Sequence, residues 1–89
     1  MSQITLTVEH EEGLHARPAA LFVKTAGSFK SDITVKKGDR EANAKSMLSV
    51  LTLGVNQGTE ISIYAEGEDA DEALAQLEKL IKNNFGEAE

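Results

Sequence analysis

Ile4-Thr5-Leu6-Thr7-Val8 alternates apolar and hydroxyl side chains one residue at a time. A period of two describes a strand with one face buried and the other wet. The alternation returns at Ile33 and Val35, and again at Ile61 and Ile63, which are separated by Ser62 and followed by Tyr64. Strands patterned on one side need cover on that side only, which predicts an antiparallel sheet with helices packed on one face.

Between these strands the period changes. Pro18 suits a first helical turn, where a missing N–H costs nothing, and Leu21, Phe22, Thr25 and Ala26 then share a helical face that Gly27 ends. Lys37-Gly38-Asp39 reads as a hairpin turn, with Ala42 and Ala44 as the small inward residues of the return strand. Ser46 has the side chain of an N-cap, Met47, Leu48, Val50 and Leu51 follow it, and Gly54 closes that short helix. Its apolar residues wrap around more than one face, so some of them should stay exposed as a docking patch. Ala70, Ala73, Leu74, Leu77, Leu80 and Ile81 repeat at i, i+3, i+4, i+7, with Asp69 and Glu72 spaced as a capping box. The predicted order is β-α-β-β-α-β-α. That is an α+β fold, a four-stranded antiparallel sheet covered on one face by helices, an open-faced sandwich.

The chain is 89 residues long, with 9 basic and 15 acidic side chains and a net charge of -6. A chain of this size buries about 60–65% of its unfolded surface, enough for one modest core, so residues 1–89 are expected to form a single domain. The acidity argues against direct nucleic-acid binding, and the only aromatics are Phe22, Phe29, Tyr64 and Phe85, too few for base stacking. Cysteine is absent, which excludes disulfides and thiolate chemistry. Without an apolar run of membrane-spanning length or a signal-peptide layout, the chain is expected to be cytoplasmic and not membrane-inserted. The acidity is uneven: residues 13–58 hold seven basic against three acidic side chains, a local balance of +4.

Within that basic stretch, His15 stands directly before a predicted helix start, in Gly13-Leu14-His15-Ala16-Arg17-Pro18. A helix N-terminus offers unpaired N–H groups and partial positive charge, which favours both a bound anion and a neutral, nucleophilic imidazole. Arg17 adds a planar fork for phosphoryl oxygens. Taken as a lone histidine, His15 is also readable as a polar loop residue. His10 among Glu9, Glu11 and Glu12 cannot close a metal shell, because neighbours on an extended segment point to alternating sides. Gly54 to Gly58 lacks the lysine of a nucleotide-binding loop, so no cofactor is expected.

Gly13-Leu14-His15-Ala16-Arg17-Pro18-Ala19 closely resembles the active-site segment of the HPr family, the histidine phosphocarriers of the bacterial phosphoenolpyruvate-dependent sugar phosphotransferase system. Asn43-Ala44-Lys45-Ser46 with the apolar helix after it, and Leu53-Gly54-Val55-Asn56-Gln57-Gly58, resemble the family's second signature. The likeness runs through Glu60 to Ala65 and on to Asp69, in register over nearly the whole chain.

The resemblance implies that His15 receives a phosphoryl group on Nδ1 from phospho-enzyme I and passes it to enzyme II A components. Arg17 and the backbone amides of Ala16 and Arg17 would hold the group. Such a chain is a phosphoryl-transfer intermediate rather than an independent turnover enzyme. Partner docking is implied at Ala20, Lys24, Met47, Leu48, Leu51, Thr52 and Gly54. Ser46 matches a serine that an HPr kinase/phosphorylase modifies in many Gram-positive relatives, making the carrier a partner of a catabolite-control transcription factor; structurally, Ser46 is an N-cap. A monomer is the expected state, with the exposed patch reserved for transient partners. Two other readings stand beside the carrier: a regulatory HPr-like protein acting by protein binding, against which His15 counts because silent relatives lack it, and an unrelated module binding RNA or a metabolite.

Overall fold

The computed structural model describes residues 2–9 and 16–83. Four strands, β1 (Ser2–Thr7), β2 (Asp32–Lys37), β3 (Arg40–Asn43) and β4 (Glu60–Glu66), are interleaved with α1 (Ala16–Gly27), α2 (Met47–Leu53) and α3 (Ala70–Lys82). This is the order that the periodicity predicts. The strands make one antiparallel sheet, ordered β1-β4-β2-β3.

Register puts the apolar residues in rows. Ile4 faces Ile63, Leu6 faces Ile61, and Val35 faces Ile63 on one side and Ala42 on the other. Because side chains alternate along a strand, these rows share a face. Ile33, Val35, Ala42, Ile61, Ile63 and Ala65 are buried on it, while Ile4 and Leu6, on an edge strand, are half-buried. Val8 lies just past β1 but extends its pairing. Its N–H donates to the Thr59 carbonyl at 2.9 Å, and its own carbonyl accepts from the Gly58 N–H at 2.7 Å. The opposite face is polar: the Thr5 and Ser62 hydroxyls share a hydrogen bond of 3.1 Å, and the Lys36 ammonium lies 5.6 Å from the Tyr64 ring centroid.

The helices cover the apolar face. Helix α1 contributes Ala19, Phe22 and Ala26, and α3 contributes Ala70, Ala73, Leu74, Leu77 and Ile81. Full burial of side chains such as Phe22, Leu77 and Ile81 stabilises the fold by about 1.5–3 kcal/mol each. Leu21 and Thr25 flank the buried stripe of α1 and remain half-buried. The hairpin joining β2 to β3 turns at Gly38, whose φ of 58° suits the tight turns that match strand twist.

One expectation is overturned. Asp69 precedes α3, but its carboxylate makes no capping hydrogen bond to that helix. It turns instead to the segment entering β2, accepting from the Lys30 N–H at 2.9 Å, the Ser31 N–H at 3.0 Å and the Ser31 hydroxyl at 2.5 Å. Three donors from one loop outcompete the helix's own amides, and Asp71 and Glu72 still place negative charge in the first turn of α3. Gly67 completes the junction with a φ of 147°, and a Cβ there would lie 2.6 Å from the Ser31 Oγ and 2.8 Å from its Cα.

Gly67→Ala would combine a disfavoured backbone conformation with a steric clash, at an expected cost of about 1–3 kcal/mol. Thermal melts should show a lower Tm, and an unchanged Tm would contradict the close approach. The Ser31 hydroxyl foremost, then the Lys30 amide, hold the Asp69 carboxyl below its ordinary value of 3.8. A depressed folded value means that this stabilisation is fully present above the ordinary value and is lost as pH falls through the folded one. The Tm gap between wild type and Asp69→Asn should therefore be widest near neutral pH and close in acid; a gap independent of pH would exclude the carboxylate as its source.

Candidate functional site

His15 lies outside the described residues, as do Gly13, Leu14, His10, Glu11 and Glu12. What is described is the helix that follows. Helix α1 opens at Ala16, and its first turn holds no acidic side chain. Pro18 and Ala19 are buried and fix that turn against the core, whereas Arg17 is exposed. Ala20 and Lys24, also exposed, follow Arg17 at intervals of three and four residues, so the three share one face of α1.

Helix α2 supplies the second half of the surface. It runs from an N-cap at Ser46, whose Oγ accepts from the Ser49 N–H at 3.3 Å, to Gly54, a left-handed C-cap with φ 73°. Both caps are those the sequence predicts. Val50 and Leu53 point into the core. Leu48 is 73% exposed and Leu51 39% exposed, the only large apolar residues so exposed among those described. Thr52 and Gly54 are exposed beside them, and Met47 is half-buried. The expected docking residues thus lie on the outer sides of two helices that pack against each other.

Two features of the site escape sequence reasoning. The Lys37 ammonium donates to the carbonyls of Leu53 at 3.3 Å and Gly54 at 2.6 Å, closing the C-terminal end of α2 from strand β2. The Lys45 ammonium donates to the Phe29 carbonyl at 2.7 Å, tying the residue before Ser46 to the loop that leaves α1. Local signals for helix ends cover only the last turn and its cap, so neither lysine could be placed in advance. These contacts also refine the charge reading. Of the basic residues in 13–58, Lys37 and Lys45 are turned toward backbone carbonyls and Lys36 stands on the open face of the sheet, while Arg17 and Lys24 lie on the exposed side of α1.

A family model described as the PTS HPr component phosphorylation site matches residues 2–83. The chain belongs to the HPr family. It is 43% identical over 82 residues to the HPr-like protein Crh of Bacillus subtilis (strain 168), covering 92% of this chain and 96% of that one. Its fold matches the crystal structure of HPr-C-His from Thermoanaerobacter tengcongensis with a TM-score of 0.97 and 46% identity over the full length of both chains. An HPr dimer from the same organism matches with a TM-score of 0.79 and 47% identity, over 98% of this chain and all of that one. The open-faced sandwich expected from the sequence is therefore the HPr fold, and no helix among the described residues is long and apolar enough to cross a membrane.

Burial separates the exposed face of α2 from the face that packs on the core. Leu48→Ser should change stability by no more than about 0.5 kcal/mol, whereas Leu53→Ala should cost about 2–5 kcal/mol. Urea denaturation of the two variants checks this, and equal losses would contradict the assigned orientation of the helix.

Proposed function

We propose that the chain is a phosphocarrier of a phosphoenolpyruvate-dependent phosphotransferase system. The observation that supports this best is the segment Gly13 to Ala19, with His15 one residue before a helix whose first turn exposes Arg17 and carries no acidic side chain. The His15 Nδ1 lone pair attacks phosphorus as the bond to phospho-enzyme I breaks. In the second half of the cycle, a nucleophile of an enzyme II A component takes the same group and the imidazole leaves with its lone pair. Arg17 and the amides of Ala16 and Arg17 neutralise the phosphoryl oxygens, so the carrier's part is positioning and charge compensation. A relay must not hold the group too deeply, because each kilocalorie of extra ground-state stabilisation slows the next transfer.

Partners read the outer faces of α1 and α2. Leu48 and Leu51 provide apolar anchors, with Met47, Ala20, Thr52 and Gly54 around them, and Lys24 steers acidic docking faces. The proposed working state is a monomer in the cytoplasm, in which this patch stays free for enzyme I and for enzyme II A. The HPr dimer among the solved relatives makes self-association the first thing to exclude.

Similarity to Crh, the catabolite repression HPr of Bacillus subtilis, favours a second, regulatory reading. Phosphorylation of Ser46 by an HPr kinase/phosphorylase would place about two negative charges at the start of α2, beside Met47 and Leu48, where a helix N-terminus tolerates them. The modified chain would then engage a catabolite-control transcription factor. The retained His15 favours the carrier as the principal role.

Incubation with phosphoenolpyruvate and enzyme I should give an acid-labile label on the wild type and none on His15→Ala; a persistent label on the variant would refute the assignment. The rate of transfer should fall as salt rises, and a salt-independent rate would remove the electrostatic part of docking. Mass mapping after treatment with a cognate kinase decides the regulatory reading, and an unmodified Ser46 removes it.

A further inference from the structure

We infer that Lys37 is a positioning residue for the docking face of α2, tethering the end of that helix to the sheet; the role rests on the carrier reading above. Helix α2 has only seven residues. Isolated helices shorter than about 12–15 residues are marginal, and the last carbonyls of any helix lack partners within it. Here the Gly54 N–H makes only a long bond of 3.4 Å back to the Leu51 carbonyl. The Leu53 and Gly54 carbonyls instead accept from the Lys37 Nζ, which brings positive charge to the negative end of the helix dipole.

The tether has a rigid origin. Lys37 is half-buried and ends β2, where it pairs with Arg40 of β3, one residue beyond Lys36, the last residue of the strand paired with β4. The turn it holds carries Leu51, Thr52 and Gly54, three of the proposed docking residues. Loss of the tether lets that turn fray, so the docking surface is complete in only a fraction of molecules, and apparent affinity falls by that fraction. Lys37 has no part in the proposed phosphoryl chemistry at the start of α1, so the effect belongs in KM and not in kcat.

The test is steady-state phosphorylation of the chain by phosphoenolpyruvate and enzyme I. Lys37→Met, which keeps the apolar stem and loses the donors, should raise KM about three- to tenfold with kcat unchanged, and Lys37→Arg should restore KM to within about twofold of wild type. Ile81→Val, which loosens the core under α3, controls for general destabilisation and should move neither constant. Amide hydrogen exchange reads the tether without a partner: Lys37→Met should speed exchange at Gly54 and Val55 and leave α3 protected. Unchanged exchange at those amides, an unchanged KM, or an equal rise in KM for Ile81→Val overturns the inference. A wild-type chain that accepts no phosphoryl group overturns the carrier reading itself, and the docking role with it.

Discussion

Strand β4 is the constraint on which the rest of the molecule depends. It pairs with β1 on one side and β2 on the other, and Ile61, Ile63 and Ala65 along it are almost completely buried. A slip of one residue would turn that row outward and bring Ser62 and Tyr64 into the core, so burial fixes the register of three strands together. With the row fixed, one face of the sheet must be covered. The cover comes from α1 and α3, whose apolar stripes are long enough, and from α2, whose stripe is too short to be buried whole.

The partial fit of α2 shapes the surface of the molecule. Val50 and Leu53 anchor it while Leu48 and Leu51 face outward, so packing itself leaves an apolar patch beside the exposed side of α1. Such a short helix needs its ends held. Ser46 holds one end through its hydroxyl, and Lys37 holds the other through two carbonyls. The proposed site thus depends on helix termini: the N-terminus of α1 for the phosphoryl group, and the closed ends of α2 for the partner.

Whatever is local and periodic in this fold was legible in the sequence. Ile4-Thr5-Leu6 and Ile61-Ser62-Ile63 announce single-sided strands, Ala70 to Ile81 announces a helix, and Ser46 and Gly54 bound α2 within one turn. Contacts made across the chain were not legible. Asp69 is spaced as a capping residue for α3 yet binds Lys30 and Ser31, some forty positions earlier, because only the folded chain brings those three donors to it. Gly67 is glycine because Ser31 lies against it, and Lys37 and Lys45 serve carbonyls sixteen or seventeen residues away. No local period records these partners. The motif around His15 was legible by its likeness to a family, and the chain's membership of that family now rests on a match over residues 2–83.

The central claim is that His15 carries the transferred group on one particular ring nitrogen. Nitrogen-15 NMR of the labelled chain, recorded before and after treatment with phosphoenolpyruvate and enzyme I, measures this directly. The account predicts one phosphoryl group per chain, on Nδ1 of His15, with the resonances of His10 unchanged. A phosphoryl group on His10, on Nε2 of His15 or on no histidine would contradict it.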